Sequence, residues 1–120
     1  TNDNILKEIE MAAKFELKES KGQYLFNLKA PNGRIILTSE RYTSKSGAMN
    51  GIDSVRKNAK IDAQFERLES KKGEPYFVLK AKNNEPIGHS EMYSSKSAME
   101  NGIASVKENA PTAEIDDLTD

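Results

Sequence analysis

One pattern occurs twice in this chain, and the repeat constrains the fold more than any other feature. Displaced by 51 residues, Phe26-Asn27-Leu28-Lys29-Ala30 falls on Phe77-Val78-Leu79-Lys80-Ala81. Ser39-Glu40-Arg41-Tyr42-Thr43-Ser44-Lys45-Ser46 falls on Ser90-Glu91-Met92-Tyr93-Ser94-Ser95-Lys96-Ser97, and Asn50-Gly51-Ile52-Asp53-Ser54-Val55 on Asn101-Gly102-Ile103-Ala104-Ser105-Val106. About half of the aligned positions are identical, with one gap near the Gly22 and Gly73 turns. Two copies are too few for a solenoid, so the pattern predicts a pseudo-symmetric pair. A unit of this size buries too little apolar surface to be secure alone, and two units sharing a core gain what each lacks.

Within each unit the hydrophobic period changes from 2 to 3.6. Lys14 to Glu19 alternates apolar and charged, as a half-buried strand does, and Tyr24, Phe26, Leu28 and Ala30 alternate again. Pro31-Asn32-Gly33 is a hairpin signal, and Arg34 to Ser39 completes a third strand. Repeat 2 copies this with Phe65 to Glu69, Tyr76 to Ala81 and Pro86 to Ser90. After Tyr42 the code becomes helical: Ala48, Ile52, Val55 and Ala59 share one helix face, as do Met99, Ile103, Val106 and Ala110. Ser44 and Ser95 stand where an N-cap hydroxyl accepts a free backbone N–H, and Asn58 and Asn109 suit a left-handed C-terminal cap. Gly51 and Gly102 lie on the buried helix face at a cost of about 1 kcal/mol each relative to Ala, which predicts a close approach of helix backbone to sheet. The fold class is therefore α+β: two tandem β(3)-α-β repeats forming one mostly antiparallel sheet, with two helices packed on one face.

The expected organisation is an N-terminal extension at residues 1–10, repeat 1 at 11–61 and repeat 2 at 62–120, ending in an acidic tail. Ile5, Leu6 and Ile9 could line a short helix in the extension. Asp62 to Ser70 follows the first helix and opens repeat 2, so it is placed to join the halves. Thr112 to Leu118 aligns with that segment as a candidate final strand, against which Asp116 and Asp117 count.

The tandem motifs resemble the YegP-like family, small bacterial and archaeal proteins carrying a domain of unknown function. The residues that carry the resemblance are Phe15-Glu16-Leu17, the Ser39-Glu40-x-Tyr42 and Ser90-Glu91-x-Tyr93 junctions, and Asn50-Gly51-Ile52-x-Ser54-Val55 with its repeat copy. The likeness covers about Met11 to Pro111. It implies a β(3)-α-β unit, duplicated in one chain or paired between two, with one shared sheet and C-terminal strands exchanged between units. It brings no activity and no ligand. Repeat 2 departs from repeat 1 where Gly33, Ile35 and Leu37 become Asn84, Pro86 and Gly88, which implies a shorter or bent third strand.

Chemistry is scarce. The chain has no cysteine and one histidine, His89, whose repeat partner is Thr38. That excludes a disulfide framework and a thiolate metal site. No phosphate-loop, dinucleotide, zinc-helix or nucleophile-elbow pattern occurs, so no cofactor and no metal are expected. What stands out is the duplicated strand-to-helix junction, Glu40, Tyr42, Ser44 and Lys45 with Glu91, Tyr93, Ser95 and Lys96. Glu, Tyr and Ser together could form an acid–base group, or cap a helix. Duplication favours the structural role, since enzymes usually need one good site. Ser-Lys beside free N–H groups is also a plausible anion grip.

Charge is uneven. Lys14 to Ile61 holds ten basic against four acidic residues, and the last nine residues add Glu114, Asp116, Asp117 and Asp120. Lys14, Lys18, Lys29 and Arg34 interleave with Tyr24 and Phe26, a pattern that could stack and hold single-stranded nucleic acid. Phe26 follows the core alternation, which disfavours that reading. The sequence thus predicts a non-catalytic accessory or binding module, cytoplasmic and monomeric by internal pairing of its repeats, with a protein partner possible and no membrane segment. A weak single-strand nucleic-acid binder is the alternative, and an enzyme a more distant one.

Overall fold

A computed structural model describes residues 12–119. The extension expected at 1–10, with its candidate helix, lies outside the described residues. Seven strands and two helices follow in chain order: β1 (Lys14–Ser20), β2 (Gln23–Lys29), β3 (Ile35–Ser39), α1 (Lys45–Asn58), a 3-10 turn (Asp62–Gln64), β4 (Phe65–Glu69), β5 (Pro75–Lys80), β6 (Pro86–His89), α2 (Lys96–Asn109) and β7 (Glu114–Asp117). They form one sheet in the order β4-β5-β6-β3-β2-β1-β7, antiparallel throughout except for the parallel β1–β7 pair. The α+β duplication read from the sequence is the architecture. The second copy's third strand is the shorter, with four residues in β6 against five in β3.

Each repeat is held by the same parts. Phe15, Leu17, Phe26, Leu28, Phe77 and Leu79 from the sheet pack against Ile52, Val55, Ile103 and Val106 from the helices in one buried core. Ser44 and Ser95 cap their helices through the N–H of Gly47 (3.0 Å) and Ala98 (3.1 Å), as the sequence predicts. The left-handed C-cap does not form: Ala59 and Ala110 close the helices in right-handed conformation. The Asn58 and Asn109 amides instead donate back to the carbonyls of Ser54 (2.8 Å) and Ser105 (2.9 Å), four residues earlier in the same helix.

The halves meet at β3–β6, where Thr38 pairs with His89 and Ser39 with Gly88. This corrects the expectation that Asp62 to Ser70 joins them. That segment ends in β4, the strand at one margin of the sheet. Thr112 to Leu118 does supply a final strand. It pairs in parallel with β1, and its two aspartates find cations, Lys14 at 3.5 Å from Asp116 and Lys45 at 2.5 Å from Asp117.

The glycines explain two packing constraints. A Cβ on Gly88 would stand 2.8 Å from the Thr38 carbonyl oxygen and 3.1 Å from Leu37 Cγ, so only glycine lets β6 approach β3 this closely. A Cβ on Gly51 or Gly102 would overlap the hydroxyl of Tyr42 or Tyr93. The helix glycines thus make room for the junction tyrosines, not for the sheet backbone that the sequence suggests. Gly88→Val, Gly51→Val and Gly102→Val are each expected to lower stability by about 1–3 kcal/mol, measured by urea unfolding. Tyr42→Phe should recover part of the loss in a Gly51→Ala background and none in a Gly88→Ala background.

Candidate functional site

The junction residues are positioned by the end of β3 and the start of α1, and by the matching ends in repeat 2. A buried serine sets each junction. Ser39 Oγ accepts the Phe26 N–H (2.8 Å) and donates to the Glu40 carbonyl (2.7 Å); Ser90 Oγ does the same with Phe77 (3.0 Å) and Glu91 (2.8 Å). The chain then bridges back to the sheet. Tyr42 exchanges two backbone hydrogen bonds with Tyr24, both 2.8 Å, whereas Tyr93 makes only one to Pro75, because proline has no N–H to return. Each tyrosine ring stacks on a core phenylalanine, Tyr42 on Phe26 at 6.3 Å and Tyr93 on Phe77 at 6.4 Å, both at 13°.

Burial pushes the phenol pKa of Tyr42 up, with Glu40 adding to the effect. Burial does the same at Tyr93, assisted by Glu91 and opposed by Arg34. Both phenols are therefore protonated at neutral pH and are poor bases. The Ser44 and Ser95 hydroxyls are occupied as caps. Ser44 and Ser95 thus serve the helix starts and Tyr42 and Tyr93 are seated on core rings, while Glu40, Lys45, Glu91 and Lys96 are exposed.

The two junctions part company in their charges. Lys45 grips the Asp117 carboxylate, and Thr119 hydrogen-bonds the same group through its N–H (2.9 Å) and hydroxyl (2.6 Å). Those bonds hold the Asp117 pKa down at about 2. Lys96 has no carboxylate within salt-bridge distance among the described residues. Glu91 receives Arg34 from the repeat 1 hairpin at 2.7 Å, whereas the repeat partner of Arg34 is Glu85, which cannot pair with Glu40.

A cleft of about 530 Å³ opens beside Glu91 and Tyr93, between the β2–β3 hairpin and the face of α2 that carries Asn101 and Ser105. Ile35 and Met92 stand on its rim, 40% and 47% exposed. Glu91 and Tyr93 are site candidates in the sequence, whereas Arg34 stands out there only in the basic stripe, and Asn101 and Ser105 only in the repeat. The available signal was the change from Arg34-Ile35 to Glu85-Pro86 between otherwise matching hairpins.

The basic stripe of repeat 1 is tied down. Lys14, Lys18 and Lys29 gather around Glu16, itself 7% exposed, at 3.9, 3.9 and 3.0 Å. Phe26 is fully buried and presents no ring for stacking. Among the described residues no group of three or more metal-ligating side chains occurs, and no helix is long and apolar enough to cross a membrane.

This fold and these paired junctions define a class: small modules made of a tandemly duplicated α+β unit. The family model described as a domain of unknown function, DUF1508, matches residues 19–66 and again 70–117. A UPF0339 protein of Bordetella pertussis is 58% identical over 91% of this chain and 98% of its own length. The UPF0339 protein YegP of Yersinia pestis is 57% identical over 88% of this chain and 95% of its own. The solution NMR structure of a UPF0339 protein from Shewanella oneidensis superposes with a TM-score of 0.85 at 53% identity, covering 90% of this chain and 92% of that one. That of YegP from E. coli, a protein of unknown function, gives 0.85 at 48% identity, with 91% and 95% covered. The chain belongs to the YegP-like UPF0339 family, whose relatives have no assigned activity.

The Lys45–Asp117 contact has a pH signature. Because the folded state lowers the Asp117 pKa from 3.8 to about 2, its stabilisation is present above the higher value and is lost as pH falls through that window. Lys45→Met is expected to lower the melting temperature at pH 6. The gap to the parent protein should close as the pH is taken from 4 to 2 in melting scans.

Proposed function

We propose that this protein is a non-catalytic binding module whose ligand seat is the cleft between the repeat 1 hairpin and α2. The observation that carries the reading is the Arg34–Glu91 ion pair at the mouth of that cleft. Both side chains are well exposed, so the pair is weak and opens readily. Arg34 then offers a planar fork of donors to a ligand carboxylate, while Ile35 and Met92 give its apolar part a surface. The seat suits a small carboxylate-bearing ligand or an acidic side chain of a partner protein. Of the candidate residues, Glu91 and Tyr93 belong to this seat and Ser95 caps the helix beside it, whereas Glu40, Tyr42, Ser44 and Lys45 form the other junction and Lys96 lines a separate groove. The capped serines and protonated phenols favour binding over catalysis, and the engaged lysines favour it over nucleic-acid recognition.

Arg34→Ala should abolish ligand-induced NMR shifts at Tyr93 and Asn101 when a panel of aryl and alkyl carboxylates is titrated, with folding unchanged. Binding elsewhere, or turnover of any panel member, would overturn the reading.

The same reading takes residues 11–61 and 62–120 as repeats that fold as one body after an extension at 1–10, in a cytoplasmic monomer. Sedimentation equilibrium of the whole chain should give one species of 13.4 kDa. A fragment from Ala63 to Asp120 should dimerise or remain unfolded, since it lacks half of the shared core.

A further inference from the structure

In the number of its strands the molecule departs from pseudo-symmetry at one place. After each helix the chain crosses to the other repeat. Arg56 of α1 stacks over Phe15 (5.4 Å) and donates to the Ala113 carbonyl (2.7 Å). Lys107 of α2 stands over Phe65 (5.7 Å) and reaches Asp62 at 2.6 Å. Ala113 and Asp62 are themselves repeat partners. From Ala113 the chain continues as β7 along β1, and the Leu118 N–H donates to the Leu17 carbonyl at 2.8 Å. From Asp62 it makes a single 3-10 turn and folds straight into β4. No strand runs along the outer side of β4 among the described residues.

That outer side is chemically ready for one. The repeat partner of Leu17 is Arg67, opposite Phe77 in the β4–β5 pair. Phe77 turns both main-chain groups to β6, its N–H to Ser90 Oγ and its carbonyl to the Ser90 N–H. The Arg67–Phe77 pair is therefore a non-hydrogen-bonded one, and the Arg67 N–H and carbonyl point to the open edge. Beside this edge lies a groove of about 670 Å³ lined by Arg67, Glu69, Lys96, Met99 and Glu100. Arg67 is already paired with Glu100 (2.5 Å) and Asp62 (3.1 Å), which leaves Lys96 as the groove's cation without a carboxylate partner among the described residues. On the β1 side, the partner of Lys96 is Lys45, which holds Asp117 of the added strand.

We propose that the outer edge of β4 is a docking site for an extended acidic segment of a partner protein. The segment adds as a strand parallel to β4, as Glu114 to Leu118 adds to β1. Main-chain bonds to the Arg67 edge supply affinity, and a carboxylate placed on Lys96, as Asp117 is on Lys45, supplies selectivity for acidic sequences. The chain's own last strand shows the pattern that fits: an apolar residue followed by two acids and a second apolar residue. A second copy's C-terminal strand suits the site less well, because lending it would strip β1 of its own partner.

The test uses the full chain, labelled for NMR, and a synthetic peptide with the sequence of Ala113 to Thr119. The expected result is saturable shift changes at the amides of Phe65 to Glu69 and at Lys96 to Met99. Lys96→Glu, an exposed change, should weaken binding about three- to fivefold, whereas Lys45→Glu should leave the affinity for that edge unchanged. A peptide with asparagine at both aspartates should bind less well. Shift changes confined to β1 would mean that the peptide only exchanges with β7, and would overturn the proposal. So would no binding at millimolar peptide. Slow hydrogen exchange at the Arg67 and Glu69 amides of the free chain would mean that another segment of the same chain, or a second copy, already covers the edge, with the same consequence.

Discussion

The β3–β6 seam is the contact on which the rest of this structure depends. Two β-sheets of three strands become one only because Thr38 and Ser39 lie against His89 and Gly88, backed by the Glu40 N–H bonded to the Ile87 carbonyl at 3.0 Å. The seam cannot be symmetric in its side chains. Leu37 fills the space at its centre, and its repeat partner is Gly88, which has no side chain to compete for that volume. A leucine at both positions would force the strands apart and leave two incomplete cores, each with an edge open to other chains. The duplication thus works through a difference between its halves.

That difference extends outward from the seam. Shortening β6 and opening it with Pro86 changes the hairpin that faces α1, while the Arg34 hairpin facing α2 keeps a cation for Glu91. One junction therefore closes on a carboxylate from the C-terminal strand and the other opens as a cleft. The two repeats hold the same caps, the same buried serines and the same tyrosine stacks. The proposed recognition is not shared: it draws on Arg34 and Arg67, which diverged, and on Lys96, whose repeat partner Lys45 is taken up by Asp117.

Much of the fold was legible because period and capping residues are local signals. The alternation in β1 and β2, the helix faces around Ile52 and Ile103, and the serine caps all follow from spacing within one element. The seam was not legible, because nothing in Asp62 to Ser70 reveals that β4 goes to a margin while β6 turns inward; that depends on which edges remain after each repeat has formed. The final strand was underrated for a related reason. Asp116 and Asp117 are poor strand formers by themselves, and only Lys14 and Lys45, about seventy to a hundred residues earlier in the chain, make them suitable. The site followed the same rule. Glu91 and Tyr93 could be named from the motif, but the cleft beside them depends on a hairpin from the other repeat.

The parallel pairing of β7 with β1 sets an order on the making of this protein. Phe15 meets Ile115 across a hundred residues of chain, so the β1–β7 pairing closes the longest loop among the described strand pairs. During synthesis β1 is among the first strands to leave the ribosome and the last to be completed. Its outer edge waits, unpaired, until β7 emerges. Among the described residues, chains stopped before Glu114 leave the outer edge of β1 open as well as that of β4, and such species are the most prone to pair with one another. The acidic C-terminal strand thus acts as a finishing seal, added once the remainder of the sheet is in place.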